Sequence, residues 1–169
     1  MGFGKTQAHC GSGRVAQALV FEKGRKVTLF ELEQSLPSGF HDAHVHGFSV
    51  DYVKREATIT LDVLVGVPEG KTDFERETYR KALLKLSGLE YLVIDAPDSR
   101  YQYAKPGTLW IDAGPLESAK LNSKIKLPSL QSKNAFAYLF FVQDWNSFFY
   151  IAATDSSLEW LSEPFMPND

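Results

Sequence analysis

Three of the four histidines stand in Gly39-Phe40-His41-Asp42-Ala43-His44-Val45-His46, and an alternating strand pattern begins directly after them. Alternation puts His44 and His46 on one face of a strand, where two imidazoles can converge on a single metal ion. His41 or Asp42, at the strand entrance, would supply a third ligand. Such a set suits zinc or another borderline divalent ion, with one position left for a water made nucleophilic near neutral pH. Further ligands are scarce: after His46 the chain holds no histidine or cysteine, so a carboxylate such as Asp51 or Asp62 would have to serve. The plainer reading is structural. His41 and Asp42 bond local backbone groups and fix a corner between helix and strand, while His44 and His46 occupy a partly exposed sheet face. This reading expects no cofactor, with zinc at His44 and His46 as the alternative.

The elements around the cluster follow from periodicity. Thr28-Leu29-Phe30-Glu31 has capping-box spacing; Leu29, Leu32 and Leu36 form an apolar helical stripe, and Pro37-Ser38-Gly39 stops the helix. Glu31, Glu33 and Gln34 then form its solvated face. From His44 the period becomes two, with His44, His46, Phe48, Val50 and Tyr52 on one face. Lys54-Arg55-Glu56 turns the chain into Ala57 to Val65, the clearest hairpin signal present. Glu75 to Leu86 reads as strand, Leu89 to Ile94 as a further extended segment, and Thr108 to Ile111 as a short strand. Gly114 to Asn134 reads as a long loop. Ala135 to Val142 turns at Gln143-Asp144-Trp145-Asn146 into Ser147 to Ala153, and Ser156 to Leu161 reads as a short terminal helix with Leu158 and Leu161 inward. The expected fold is α+β: a mostly antiparallel sheet of about six or seven strands with the Thr28 helix packed on it.

Residues 1–14 are rich in glycine and lack an apolar period, which makes 1–26 either a flexible arm or a stretch foreign to a native protein starting at Val27. Residues 27–169 then form a single α+β domain. Gly4-Lys5-Thr6 ends like a phosphate-binding loop, but only three residues precede Gly4, too few for the buried strand such a loop needs. The lone Cys10 has no intramolecular disulfide partner. No apolar run approaches the roughly 20 residues of a membrane helix, so a cytoplasmic protein without a membrane partner is expected.

The formal net charge is -3, from 18 basic and 21 acidic side chains. Five of the basic residues and one of the acidic ones fall within residues 1–26, leaving 13 against 20, a net of -7, on the remainder. An acidic body repels nucleic-acid backbones and suits a basic protein partner. Trp145, between Asp144 and Asn146, is the residue whose type and neighbours best fit a contact with such a partner.

Phe40-His41-Asp42-Ala43-His44-Val45, followed by strand and hairpin, resembles small bacterial proteins with an [FL]-H-D-A-x-[ILV] signature. These include an immunity-protein group of polymorphic toxin systems, and the similarity in strand order extends over residues 28–113. The resemblance implies a non-enzymatic, cytoplasmic α+β protein, some of whose relatives neutralise a toxin by binding it. His41 and Asp42 carry over; His44 departs from the acidic or other polar residue expected at that place. The leading expectation is thus a protein-binding module, with immunity-type inhibition as its specific form. The alternative is a metal-binding protein or metal-dependent enzyme centred on His44 and His46. Deletion of residues 1–26 is expected to leave the thermal midpoint almost unchanged in a calorimetric scan; loss of folding would place Ala16 to Phe21 in the sheet.

Overall fold

The structure is a computed structural model that describes residues 26–101, 108–115 and 126–167. Gly4-Lys5-Thr6, Cys10 and Ala16 to Phe21 lie outside the described residues, as does most of the long loop expected after Gly114. Eight strands follow the helix α1 (Leu29–Gln34): β1 (Ala43–Asp51), β2 (Glu56–Leu64), β3 (Tyr79–Ser87), β4 (Tyr91–Ile94), β5 (Leu109–Pro115), β6 (Phe136–Val142), β7 (Ser147–Ala153) and β8 (Asp155–Trp160). A one-turn helix, α2 (Asp73–Arg76), interrupts the stretch before β3. Among the described residues no helix is long and apolar enough to cross a membrane.

The strands form one antiparallel sheet in the order β4-β7-β6-β5-β1-β2-β3-β8. It curls back on itself. The Thr154 N–H reaches Ser87 O at 3.1 Å, joining the end of β7 to the end of β3, and Glu90 N–H reaches Ala152 O at 2.8 Å. The core sits inside this curl: Ala57, Ile59, Leu61 and Val63 of β2 and Leu84 and Leu86 of β3 face Phe140, Phe149 and Ile151 of β6 and β7. The Phe140 and Phe149 rings stack at 4.5 Å.

Helix α1 contacts both β8 and β6, which the curl brings together. Thr28 Oγ1 accepts from Glu31 N–H at 3.2 Å while the Glu31 carboxylate accepts from Thr28 N–H at 2.9 Å, so the expected capping box is present. Val27, Leu29 and Leu32 are buried in the core. Val27 is tied further to β8, its N–H donating to Asp155 Oδ1 at 2.8 Å and its carbonyl accepting from Ser156.

Four expectations need correction. The sheet has eight strands rather than six or seven, and the helical content is small. Ser156 to Leu161 is not a helix: Asp155–Trp160 is strand β8, paired with β3 from Ala82 to Ser87. The free edge of β3 offers a full ladder of hydrogen bonds, which outweighs a weak local helical stripe. The strand expected from Glu75 begins at Tyr79, because Thr72 and Glu75 form a second capping box and hold the preceding turn helical. Glu33 is not on a solvated face. Its carboxylate accepts a short hydrogen bond from the buried Tyr138 hydroxyl, and burial pushes its pKa up, against the lowering effect of that bond. The same burial drives the Tyr138 phenol well above its ordinary range.

The bend from β3 to β4 depends on Gly88, whose φ is +63° and at which a Cβ would lie 2.1 Å from Thr154 Oγ1. Gly88→Ala is expected to destabilise by more than about 1 kcal/mol, through both strain and the clash. Gly47→Ala, where a Cβ meets nothing within 4 Å, should stay within about 1 kcal/mol of the parent. Urea unfolding of the two variants checks the contrast.

Candidate functional site

The turn into β1 places His41 and Asp42 beside β5. Main-chain bonds shape the corner: His41 N–H to Ser38 O at 3.1 Å and Ala43 N–H to Phe40 O at 3.3 Å. Asp42 takes a left-handed conformation with φ 54°, uncommon for a residue with a side chain. In place of the local backbone groups expected from sequence, the His41 side chain has carboxylate partners. Its Nδ1 makes a short contact with Asp112 on β5, and its Nε2 lies 3.2 Å from Asp42. The hydrogen bond to Asp112 raises the His41 pKa above its ordinary value, against a smaller lowering by burial. His41, Asp42 and Asp112 offer ligand atoms lying within 4.8 Å of one another, although the His41 side chain remains 65% exposed.

Strand β1 then carries a bulge between Val45 and Gly47. Before it, Val45 pairs with Leu61; after it, Phe48 pairs with Ile59, so both Val45 and Phe48 face the core. Simple alternation had placed Phe48 and Val50 with His44 and His46. The extra residue separates them, and both imidazoles lie on the outer face. There His44 is paired with Trp110 of β5 on one side and Asp62 of β2 on the other. Its ring lies between Trp110, at 4.6 Å, and Tyr79, at 4.8 Å. Burial lowers the His44 pKa, partly offset by Asp62.

Asp62 is 7% exposed. One of its oxygens, Oδ2, contacts His46 Nε2 at 2.7 Å. The other, Oδ1, has no hydrogen-bond partner among the described residues, and neither has the buried Nε2 of His44. The hairpin turn after β6 completes the site. Asp144 Oδ2 accepts from the main-chain N–H of Trp110 at 2.8 Å, and Gln143 Nε2 donates to Asp112 Oδ2 at 3.0 Å. Trp110 remains 43% exposed.

Of the residues singled out from sequence, His41 and Asp42 meet each other, His46 contacts Asp62, and His44 stands opposite Asp62 in the ladder without bonding it. Asp51 ends β1, where its carboxylate accepts from Lys54 N–H and pairs with the Lys54 ammonium. Trp145 is half-buried and packs against the core. Tyr79, Trp110, Asp112 and Asp144 were missed; the only signal for them is that β5 and β3 flank the β1–β2 hairpin, a matter of sheet order rather than local pattern. Compared with known proteins, the chain matches no family model, and no curated protein or solved structure is significantly similar to it.

The arrangement gathers Asp42, Asp62, Asp112 and Asp144 around three imidazoles and one exposed indole. It can hold cations, ion-pair with basic side chains or stack on a guanidinium. The His41–Asp112 pair has a defined pH signature. Because the folded pKa of His41 is raised above the ordinary 6.5, its stabilisation is full below that value and is lost as pH rises through the folded pKa. The parent is therefore expected to exceed His41→Gln in thermal stability in mildly acidic buffer, by no more than about 1 kcal/mol for so exposed a pair, with the margin vanishing in alkaline buffer. Melts across the histidine range test this; a margin that grows with pH would refute the pairing.

Proposed function

We propose that this chain is a protein-binding module that presents the Trp110-centred acidic face to a basic protein partner. The observation that carries the reading is an exposed indole held in place and set among carboxylates. The Trp110 ring packs on His44, its main-chain N–H is held by Asp144, and Asp112, two residues along the same strand, is joined to Asp42 through His41. Immobilised aromatics surrounded by polar groups are the usual energetic centres of interfaces, and they lose little side-chain freedom on binding. The carboxylates supply long-range attraction for a basic surface, and the indole face accepts a lysine or arginine head group by cation–π contact. The form suggested by the Phe40-His41-Asp42-Ala43 resemblance is neutralisation of a toxin by binding in the cytoplasm.

The test begins with the genes beside this one: a toxin gene supports the binding reading and a metabolic operon the metal-enzyme alternative. With the neighbouring toxin as partner, titration calorimetry should show an affinity that falls with ionic strength. Trp110→Ala is expected to cost about 2 kcal/mol or more of binding energy, with Asp112→Asn reducing the salt dependence. Affinity unchanged by salt and by Trp110→Ala would overturn the assignment.

A further inference from the structure

Two polar atoms on the outer face share one predicament. His44 Nε2 and Asp62 Oδ1 are both buried without a hydrogen-bond partner among the described residues, and they belong to residues directly opposed in the β1–β2 ladder. An unpaired buried polar group is costly, and two as cross-strand neighbours mark a place where a third atom satisfies both. They do not hydrogen-bond each other. Lys81, opposite Asp62 on β3, makes no ion pair with it among the described residues.

We propose that His44 Nε2 and Asp62 Oδ1 bind one divalent transition-metal ion of the zinc class. The donor chemistry selects the ion: one imidazole nitrogen and one carboxylate oxygen suit a borderline cation, whereas magnesium and calcium prefer all-oxygen shells. The site is also held in place. Trp110 and Tyr79 fix the His44 ring from either side, and His46 Nε2 holds Asp62 by its other oxygen at 2.7 Å, leaving Oδ1 for the ion. His46 is thus a positioning residue for the carboxylate ligand. With two protein ligands, the remaining coordination positions take water or a donor from a bound partner.

The nearby His41–Asp42–Asp112 group is the competing location, but its histidine already has a carboxylate at each ring nitrogen and its side chain is largely exposed. It contains no unpartnered buried atom among the described residues.

The experiment titrates Zn2+ into the chelator-treated full chain by calorimetry and repeats the titration with Co2+, following tryptophan fluorescence. Near-stoichiometric binding is expected, with Co2+ quenching the indole that packs against His44. His44→Ala should abolish both signals, His46→Gln should weaken binding about 10–100-fold, and His41→Ala should leave it unchanged. Asp62→Asn should also abolish binding; if that variant does not fold, the half-exposed His44 position decides. No binding to the parent chain, or binding lost with His41→Ala but kept in His44→Ala, would overturn the site. Partner binding through Trp110 is measured separately in chelator, so failure here leaves the docking reading standing or falling on its own data.

Discussion

The bulge in β1 is the constraint on which the rest of the molecule depends. Without the extra residue between Val45 and Gly47, strict alternation would carry either Val45 or Phe48 out of the core. With it, Val45 packs at the seam with β5, Phe48 packs edge-on against Phe149 of β7 at 5.0 Å, and His44 and His46 both stand outside. Among the described residues Ala43 to Val45 pair with Leu109 to Ile111 of β5, and side chains from both halves of the sheet share one core. Bulges bend and twist the strand that carries them, and here the bend separates the core from the polar face.

Closure creates both edges of the problem and their solutions. Ser87 and Thr154 meet where β3 and β7 end, and Gly88 is the residue that tolerates the close approach. Helix α1, which contacts β6 and β8, buries Leu29 and Leu32 beside the preceding Val27, and this placement draws Glu33 against Tyr138. A carboxyl group there loses hydration and keeps one phenolic donor, so its protonated form is favoured over what an exposed glutamate would show. Gly39 permits the contact, since a Cβ at that residue would lie 2.8 Å from Glu33 Cγ.

On the outer face, charge and aromatic area are concentrated rather than dispersed. Asp42, Asp62, Asp112 and Asp144 come from the entry turn, β2, β5 and the β6–β7 turn, elements far apart in the chain. Their mutual repulsion is relieved by local donors: His41 beside Asp42 and Asp112, His46 on Asp62, the Trp110 amide on Asp144 and Gln143 on Asp112. Each carboxylate is thereby held in a definite direction, which gives the face its capacity for directional recognition of cations.

Short-range physics made part of this legible in the residues themselves. The Thr28 capping box, the β1–β2 hairpin and the Gln143–Asn146 turn rest on side chains within a few positions of each other, so local spacing determined them. The histidine cluster was visible for the same reason, and Asp62 could be named as a carboxylate within reach. What only the tertiary structure decided was everything that depends on strand order. Asp155–Trp160 became a strand because β3 had an open edge. Glu33 turned inward because β6 packs beside α1. Trp110, Tyr79, Asp112 and Asp144 joined the site because β5 and β3 flank the hairpin. Those outcomes are set by hydrogen-bond pairing and burial between segments up to about a hundred residues apart, for which local periodicity carries no record.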